Sequence, residues 1–325
     1  CIALLKIENL KFKILSNIVS SQVKLHAKYG GVYPFLAKRE HQKNLPTVLK
    51  KAIKGQDISK IDLIGVTVGP GLEPCLWQGI NLAKDLAEKF KKPLVPVNHI
   101  EAHILANFVG KSQISNLKSQ IFPAVCLVVS GGHTQLILIE DIGKYKILGE
   151  TRDDAAGECF DKVARILELG YPGGPAIAAE AAKYKIQNTK YKIRLPRPMI
   201  HQKNYDFSFS GLKTAVLYRV KEGNYDIIEM SAEVQQAIID VLIYKTLKTA
   251  KNYKVKSIML GGGVAANDEL RKQFKEKIKK EIPNTKYYMP DVKFCTDNAS
   301  MIGVAAFFHR LKSFKDIKAE ANLKL

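Results

Sequence analysis

The stretch "PVNHIEAHILA", residues 96–106, places two histidines four positions apart. On a helix, such residues share a face, so His99 and His103 can present imidazole nitrogens to one ion at about 2 Å. Zinc peptidases of the H-E-x-x-H type carry their general base, a glutamate, directly after the first histidine. Here Ile100 follows His99, and Glu101 comes two residues on, about 200° around the helix and facing away. Peptide hydrolysis by that mechanism is therefore disfavoured. A third ligand must come from elsewhere, and Asp297 in "CTDNASM" is the best candidate, although an acid just before a helix commonly serves as its N-cap. Two histidines and one carboxylate with open positions suit iron(II), or zinc.

A second set of residues suits phosphate. Glycines directly after a strand let the backbone approach an anion, and the amides of the following helix start favour its charge. "VVSGGHTQ" supplies Ser130, Gly131 and Gly132 with the side chains of His133 and Thr134; "LGGGVAAN" supplies Gly261, Gly262, Gly263 and Asn267; "YPGGP" supplies Gly173 and Gly174. None matches the P-loop or the dinucleotide fingerprint. Each alone is equally a hairpin or a helix start, but three in one chain favour a nucleotide-like ligand. Between them, in "DDAAGECFDKVARIL", Asp153 and Asp154 read as caps of the helix that follows. Asp161 could bind ribose hydroxyls, though its spacing favours a surface pair with Arg165.

These groups need elements to hold them. "CIALLKI" and "FKILSNIVSSQ" read as two strands joined at "ENLK", followed by helical spacing across "YPFLAKREHQKNLPTVLKKAI". "IDLIGVTVG" then runs through a glycine-proline turn into a helix, and the strand "PLVPVN" leads into the histidine helix. After a loop around "KSQISNLKSQ", the paired strands "AVCLVVS" and "TQLILIE" hinge on "GGH". Helices follow in "ECFDKVARILELG" and across about 211–252, then strand, turn and helix in "VKSIMLGGGVAANDELRKQF", and a last helix near "TDNASMIGVAAFFHRLK". This predicts two α/β halves with a ligand in the cleft between them.

Composition narrows the class. The 325 residues suffice for two domains and a large core. No apolar run is long enough to cross a membrane, and no export leader opens the chain, so a cytoplasmic protein is expected. The five cysteines, Cys1, Cys75, Cys126, Cys159 and Cys295, lie far apart without a C-x-x-C, which favours neither a disulfide framework nor a zinc knuckle. A net charge of +20 comes mainly from lysine, in segments such as "KYKIQNTKYKIRLPRPMIHQK" and "RKQFKEKIKKEI". Such charge favours polyanionic partners and is also what ordinary solvated faces would give.

Taken in order, "SQVKLHAKYGGVYPFLAKREH", "GPGL", "HIEAH", "VSGGHTQL", "DDAAGECFDKVARIL", "YPGGP", "RPM", "DFSFSGLKT", "GGGVAAN" and "CTDNASMI" closely resemble the tRNA N6-adenosine threonylcarbamoyltransferase family, formerly described as glycoproteases. The resemblance runs from about residue 17 to about 310. It implies a two-lobed, actin-like ATPase-type (ribonuclease H-like) α/β fold, with one lobe from 1–112 plus about 296–325 and the other from 113–295. It implies transfer of threonylcarbamoyl from threonylcarbamoyl-adenylate to N6 of adenosine 37 in tRNAs that read codons beginning with A, with release of AMP. The matching motifs make His99, His103 and Asp297 the metal ligands, with iron favoured over zinc, and Val128, Val129, Ser130, Gly131, Gly132, Asp161, Gly174 and Asn267 the adenylate-binding residues. No residue matches a covalent nucleophile; His133 is a candidate base. The implied partners are tRNA, a small paralogous subunit and an ATPase of the bacterial assembly, with no membrane.

Two departures stand out. Family members carry a further strand and acidic turn, resembling I-x-x-I-E-T-S-C-D-E-T, ahead of the segment that "CIALLKI" matches, whereas this chain opens on Cys1. The expectation is a first lobe short of one central strand and one phosphate loop, with ladder groups unpaired on both neighbours. In "GPGLEPCLWQG", Pro74 and Cys75 replace small residues, which reads as a tolerated change. The competing readings are a metallopeptidase and a non-catalytic nucleotide-binding scaffold.

Overall fold

In a computed structural model, the chain is described at residues 1–8, 11–110, 118–186, 193–223, 225–311 and 316–325. Part of the expected "ENLK" turn, most of the loop around "KSQISNLKSQ" and the middle of the basic stretch before "RLPRPM" lie outside the described residues. The chain divides into two units: residues 1–24, 32–119 and 296–325 form the first, and residues 25–31 and 120–295 the second.

The first unit begins with an antiparallel hairpin of β1 (Ile2–Glu8) and β2 (Lys11–Ile18), in register from Ile2 opposite Ile18. A short helix α1 (Val23–Ala27) precedes α2 (Pro34–Ala52), whose proline at the first turn costs no hydrogen bond. β3 (Ile64–Gly69) leads into α3 (Glu73–Phe90), and β4 (Leu94–Asn98) pairs parallel to β3. Pro74 falls in the first turn of α3, where its missing N–H is harmless, so the departure from the family pattern is accommodated. α4 (His99–Leu105) follows β4 without a break.

The second unit is built on one continuous sheet. α5 (Lys118–Ile121) enters β5 (Ala124–Val129), all six residues of which are buried. β6 (Thr134–Asp141) and β7 (Lys144–Glu150) extend it antiparallel, and β8 (Ser257–Gly261) and β9 (Lys286–Tyr288) extend it parallel, in the order β7-β6-β5-β8-β9. Between β7 and β8 run α6 (Ala156–Ile166), α7 (Gly173–Ile186), α8 (Ser210–Lys221) and the 27-residue α9 (Ile227–Tyr253). α10 (Asp268–Glu281) lies between β8 and β9, and α11 (Ala299–His309) returns the chain to the first unit. The core of the second unit joins Leu127, Val129, Phe160, Phe207, Ile238 and Leu260.

Sequence pattern placed the long elements and missed β7, α7 and β9. β7 alternates lysine with half-buried residues in a polar-looking run, and β9 has three residues, too few to show a period. α7 begins on the two glycines that read as a turn.

Candidate metal centre and phosphate-binding turns

The end of β4 fixes the histidine pair. Asn98 caps α4, its Oδ1 accepting from the amides of Ile100 (2.8 Å) and Glu101 (3.3 Å), while its Nδ2 donates to the carbonyl of Lys324 (3.2 Å). Ile100, Ala102, Ile104 and Leu105 are buried, which locks the rotation of this short helix. The rings of His99 and His103 lie 4.6 Å apart, edge to face. Each Nε2 is 3.4 Å from Oδ1 of Asp297, and the three ligand atoms lie within 4.8 Å of one another. The cap of α11 is Asn298, which accepts from Met301 N at 3.1 Å, so Asp297 is released from the capping role that its position suggested.

The electrostatics favour ligation. Burial disfavours a charged His103; Asp297 opposes that and His99 adds to it, and the outcome is an imidazole held below its ordinary pKa, in the neutral form a metal needs. Desolvation opposes ionisation of Asp297, but His103 and His99 outweigh it and hold the carboxyl well below its ordinary value. Its side chain remains 76% exposed, so water and ligands reach the carboxylate. The contacts at 3.4 Å are not aligned hydrogen bonds: Nε2 of His103, on a residue 1% exposed, has no hydrogen-bond partner. A buried nitrogen without a partner is costly, and a cation between two imidazoles and a carboxylate would satisfy it. The residues fit a metal ion.

Glu101 does face away from the triad, and its destination was not read from the sequence. It is buried and pairs at 2.8 Å with Nε2 of His309 on α11. The pair ties the helix of the histidines to the helix that follows Asp297. With Glu101 so engaged, the peptidase reading loses its base a second time.

In the second unit the glycines fall into two kinds. A Cβ on Gly157 would meet the carbonyl oxygen of Ser130 at 2.5 Å, one on Gly173 that of Phe160 at 2.4 Å, and one on Gly262 that of Val129 at 2.3 Å. Gly262 also has φ +89°, so only glycine fits there without strain. Gly131, Gly132 and Gly174 have open space where a side chain would be. In the first kind, Gly157 and Gly262 pack their turns onto the end of β5 and Gly173 packs the start of α7 onto α6; the second kind has room beside its backbone. Ser130 shapes its own turn: its N–H donates to the carbonyl of His133 (2.8 Å) and its Oγ accepts from His133 N (3.1 Å). Thr134 Oγ1 accepts from Ala156 N at the start of α6 (2.9 Å).

Two expectations are corrected. Asp161 does not pair with Arg165 as a surface bridge; it accepts from Gly173 N at 2.7 Å, at the start of α7, while Arg165 donates to the carbonyl of Gly30. Desolvation raises the Asp161 carboxyl pKa against the lowering effect of that amide and of the Arg165 charge. Asp153 and Asp154 do not cap α6. Asp153 instead gathers the "DFSFSG" turn, accepting from Ser208 Oγ (2.5 Å), Ser210 Oγ (2.6 Å), Phe209 N (2.8 Å) and Ser210 N (3.3 Å), and Asp154 pairs with Lys162 at 2.6 Å. Asn267 caps α10 through Leu270 N (2.9 Å) and donates to Gln235 Oε1 (2.8 Å).

The strands and glycine turns define an actin-like, ATPase-type α/β protein with a histidine-carboxylate centre. HypF from T. kodakarensis is similar in fold, with a TM-score of 0.58 at 14% identity over 81% of this chain and 42% of that one. The family model of tRNA N6-adenosine threonylcarbamoyltransferase matches residues 13–304. A tRNA N6-adenosine threonylcarbamoyltransferase of Thermosipho africanus is 47% identical over 96% of this chain and 94% of its own length. One from Syntrophomonas wolfei is 46% identical over 91% and 86%. The chain belongs to the tRNA N6-adenosine threonylcarbamoyltransferase family, and is an acyltransferase by that membership. No helix among the described residues is long and apolar enough to cross a membrane.

Proposed function

We propose that this chain transfers the threonylcarbamoyl group from threonylcarbamoyl-adenylate to N6 of adenosine 37 in tRNAs reading codons that begin with A, in the cytoplasm. One observation carries the reading: a buried, partnerless imidazole nitrogen of His103 meets His99 and Asp297 in a chain of this family. His99, His103 and Asp297 hold the metal, iron(II) in this reading. A bound iron(II) would supply Lewis acidity toward the oxygens of the carbamoyl-phosphate linkage.

The remaining work falls to the chain. The open backbone at Gly131, Gly132 and Gly174 receives the adenylate, with Val128, Val129, Ser130, Asp161 and Asn267 around it. The lone pair of N6 forms a C–N bond to the carbamoyl carbon, the C–O bond to phosphate breaks, and its electrons leave with AMP. The proton lost from N6 passes to His133, whose backbone the Ser130 turn fixes, and from there to solvent. The partners are tRNA, a small paralogous subunit and an ATPase of the bacterial type.

The test is mass spectrometry of nucleosides from unmodified tRNA incubated with the chain, threonylcarbamoyl-adenylate, iron(II) and the partner proteins. Threonylcarbamoyl-adenosine is expected with the natural chain and absent with His99→Ala. A folded, iron-loaded chain that leaves tRNA unmodified in the complete mixture would overturn the assignment.

A further inference from the structure

A groove of about 550 Å³ lies within the second unit, lined by the loop after Arg197, the C-terminal half of α9, and α10. None of the glycine-turn residues lines it. Two lysine-rich segments that stood apart in the sequence meet here: the loop brings Arg197 and His201, and α10 brings Lys277.

The charges do not cancel. The two acids in the lining already have partners, Asp240 with Arg197 at 2.9 Å and Glu281 with Lys251 at 2.7 Å. Lys248, in the lining, donates to the carbonyls of Gln202 (2.8 Å) and Lys203 (3.1 Å) and lies over the Tyr205 ring at 5.8 Å, with no carboxylate partner among the described residues. Lys277 makes no ion pair among the described residues. Beside these cations, the rings of Tyr244 and His201 meet edge to face at 5.5 Å, and Tyr244 is 42% exposed. Cations that follow a backbone, next to aromatic faces on which a base can stack, form the recognition pattern for single-stranded nucleic acid. An acidic peptide would use the lysines but not the stacking faces.

We propose that this groove binds a single-stranded segment of the tRNA substrate, with phosphates at Lys248 and Lys277 and a base against Tyr244. The proposal rests on the transferase reading. It assigns part of the chain's net charge of +20 to a place.

The test compares unmodified-tRNA affinity across a salt series, in the assembly with its partner proteins, for the natural chain, Lys277→Glu, Tyr244→Ala and the control Lys144→Glu on exposed β7. Metal content and thermal melting report folding. Lys277→Glu is expected to weaken binding and to lower the salt slope by about one, as loss of one phosphate contact does. Tyr244→Ala is expected to weaken it roughly five-fold or more, the loss of one stacked base. Lys144→Glu should match the natural chain. If the natural assembly modifies tRNA while Lys277→Glu and Tyr244→Ala bind it unchanged, the groove proposal fails and the transferase reading stands. If the natural assembly neither binds nor modifies tRNA, both fail.

Discussion

The two units hold their functional groups by different means. In the second, β5 has hydrogen-bonded neighbours on both edges, β6 antiparallel and β8 parallel, and the turns at its end are pressed onto it by Gly157 and Gly262. In the first, the same two kinds of pairing occur as separate pieces, an antiparallel β1-β2 and a parallel β3-β4, with no ladder joining β1 to β3 among the described residues. The candidate metal ligands therefore depend on helices: α11 packs against β1, β2, β3, β4 and α4, and the Glu101–His309 pair closes the contact. A sheet can position a turn through backbone packing alone. A site carried by helix ends needs side chains, and a buried polar pair, to set its register.

This contrast predicts where each unit breaks. The largest effect belongs to the ligand set: His103→Ala should abolish metal binding, measured by metal analysis and by the visible spectrum of the cobalt(II) form, while the fold persists. The Nε2 of His103 has no hydrogen-bond partner, so the substitution breaks no hydrogen bond there and costs the ion, the edge-to-face contact with His99 and some buried packing. Next comes Gly262→Ala, which places a methyl 2.3 Å from the carbonyl oxygen of Val129 at φ +89°. A left-handed alanine with a backbone clash should destabilise the second unit by about 3 kcal/mol, read as a lower urea midpoint, with metal content unchanged. An unaffected midpoint would show that the turn is not held by close packing.

The sequence exposed this division unevenly. The i, i+4 spacing of His99 and His103 is local and was readable; that Asp297 joins them depends on α11 returning across nearly two hundred residues, which spacing does not encode. The family resemblance supplied that step. Asp153 and Asp161 were misplaced for one reason: short acids next to a helix look like caps or surface pairs, and their actual partners, the amides of Phe209 and Gly173, belong to turns far along the chain or beyond an unrecognised helix start. Glu101 carried one legible sign, its place on the face opposite the histidines. Its partner His309 lies 208 residues away. Within the basic segment around "RLPRPM", Arg197 is bound to Glu233 and Asp240 of α9, a pairing that charge counting does not show.

Glu101 sharpens the comparison further. Its replacement by alanine leaves the half-buried His309 without its acid and loosens α4 from α11, so metal affinity should fall about 10- to 100-fold, the range for outer residues that orient ligands. Glu101→Gln keeps an oxygen that accepts from His309 and should recover part of that loss. Titration with cobalt(II) measures both, and equal affinity in all three chains would mean that the ligand register is set elsewhere.

The smallest effect concerns Asp153 and depends on pH. Desolvation opposes its ionisation, but hydrogen bonds from Ser208, Ser210 and the amides of Phe209 and Ser210 prevail and lower its pKa. A carboxyl depressed in the folded state contributes stability that is fully present above the unfolded value, about 3.9, and is lost as pH falls through the folded value. The side chain is exposed, so the contribution is screened and local. Amide exchange at residues 207–211, corrected for its intrinsic pH dependence, should therefore lose protection below about pH 4 in the natural chain. Asp153→Asn keeps an acceptor but has no proton to gain, so protection there should be weaker at neutral pH and insensitive to acid. If the natural chain shows the same flat profile, the "DFSFSG" turn is held by the packing of Phe207 and Phe209 in the core, and the carboxylate is incidental to it.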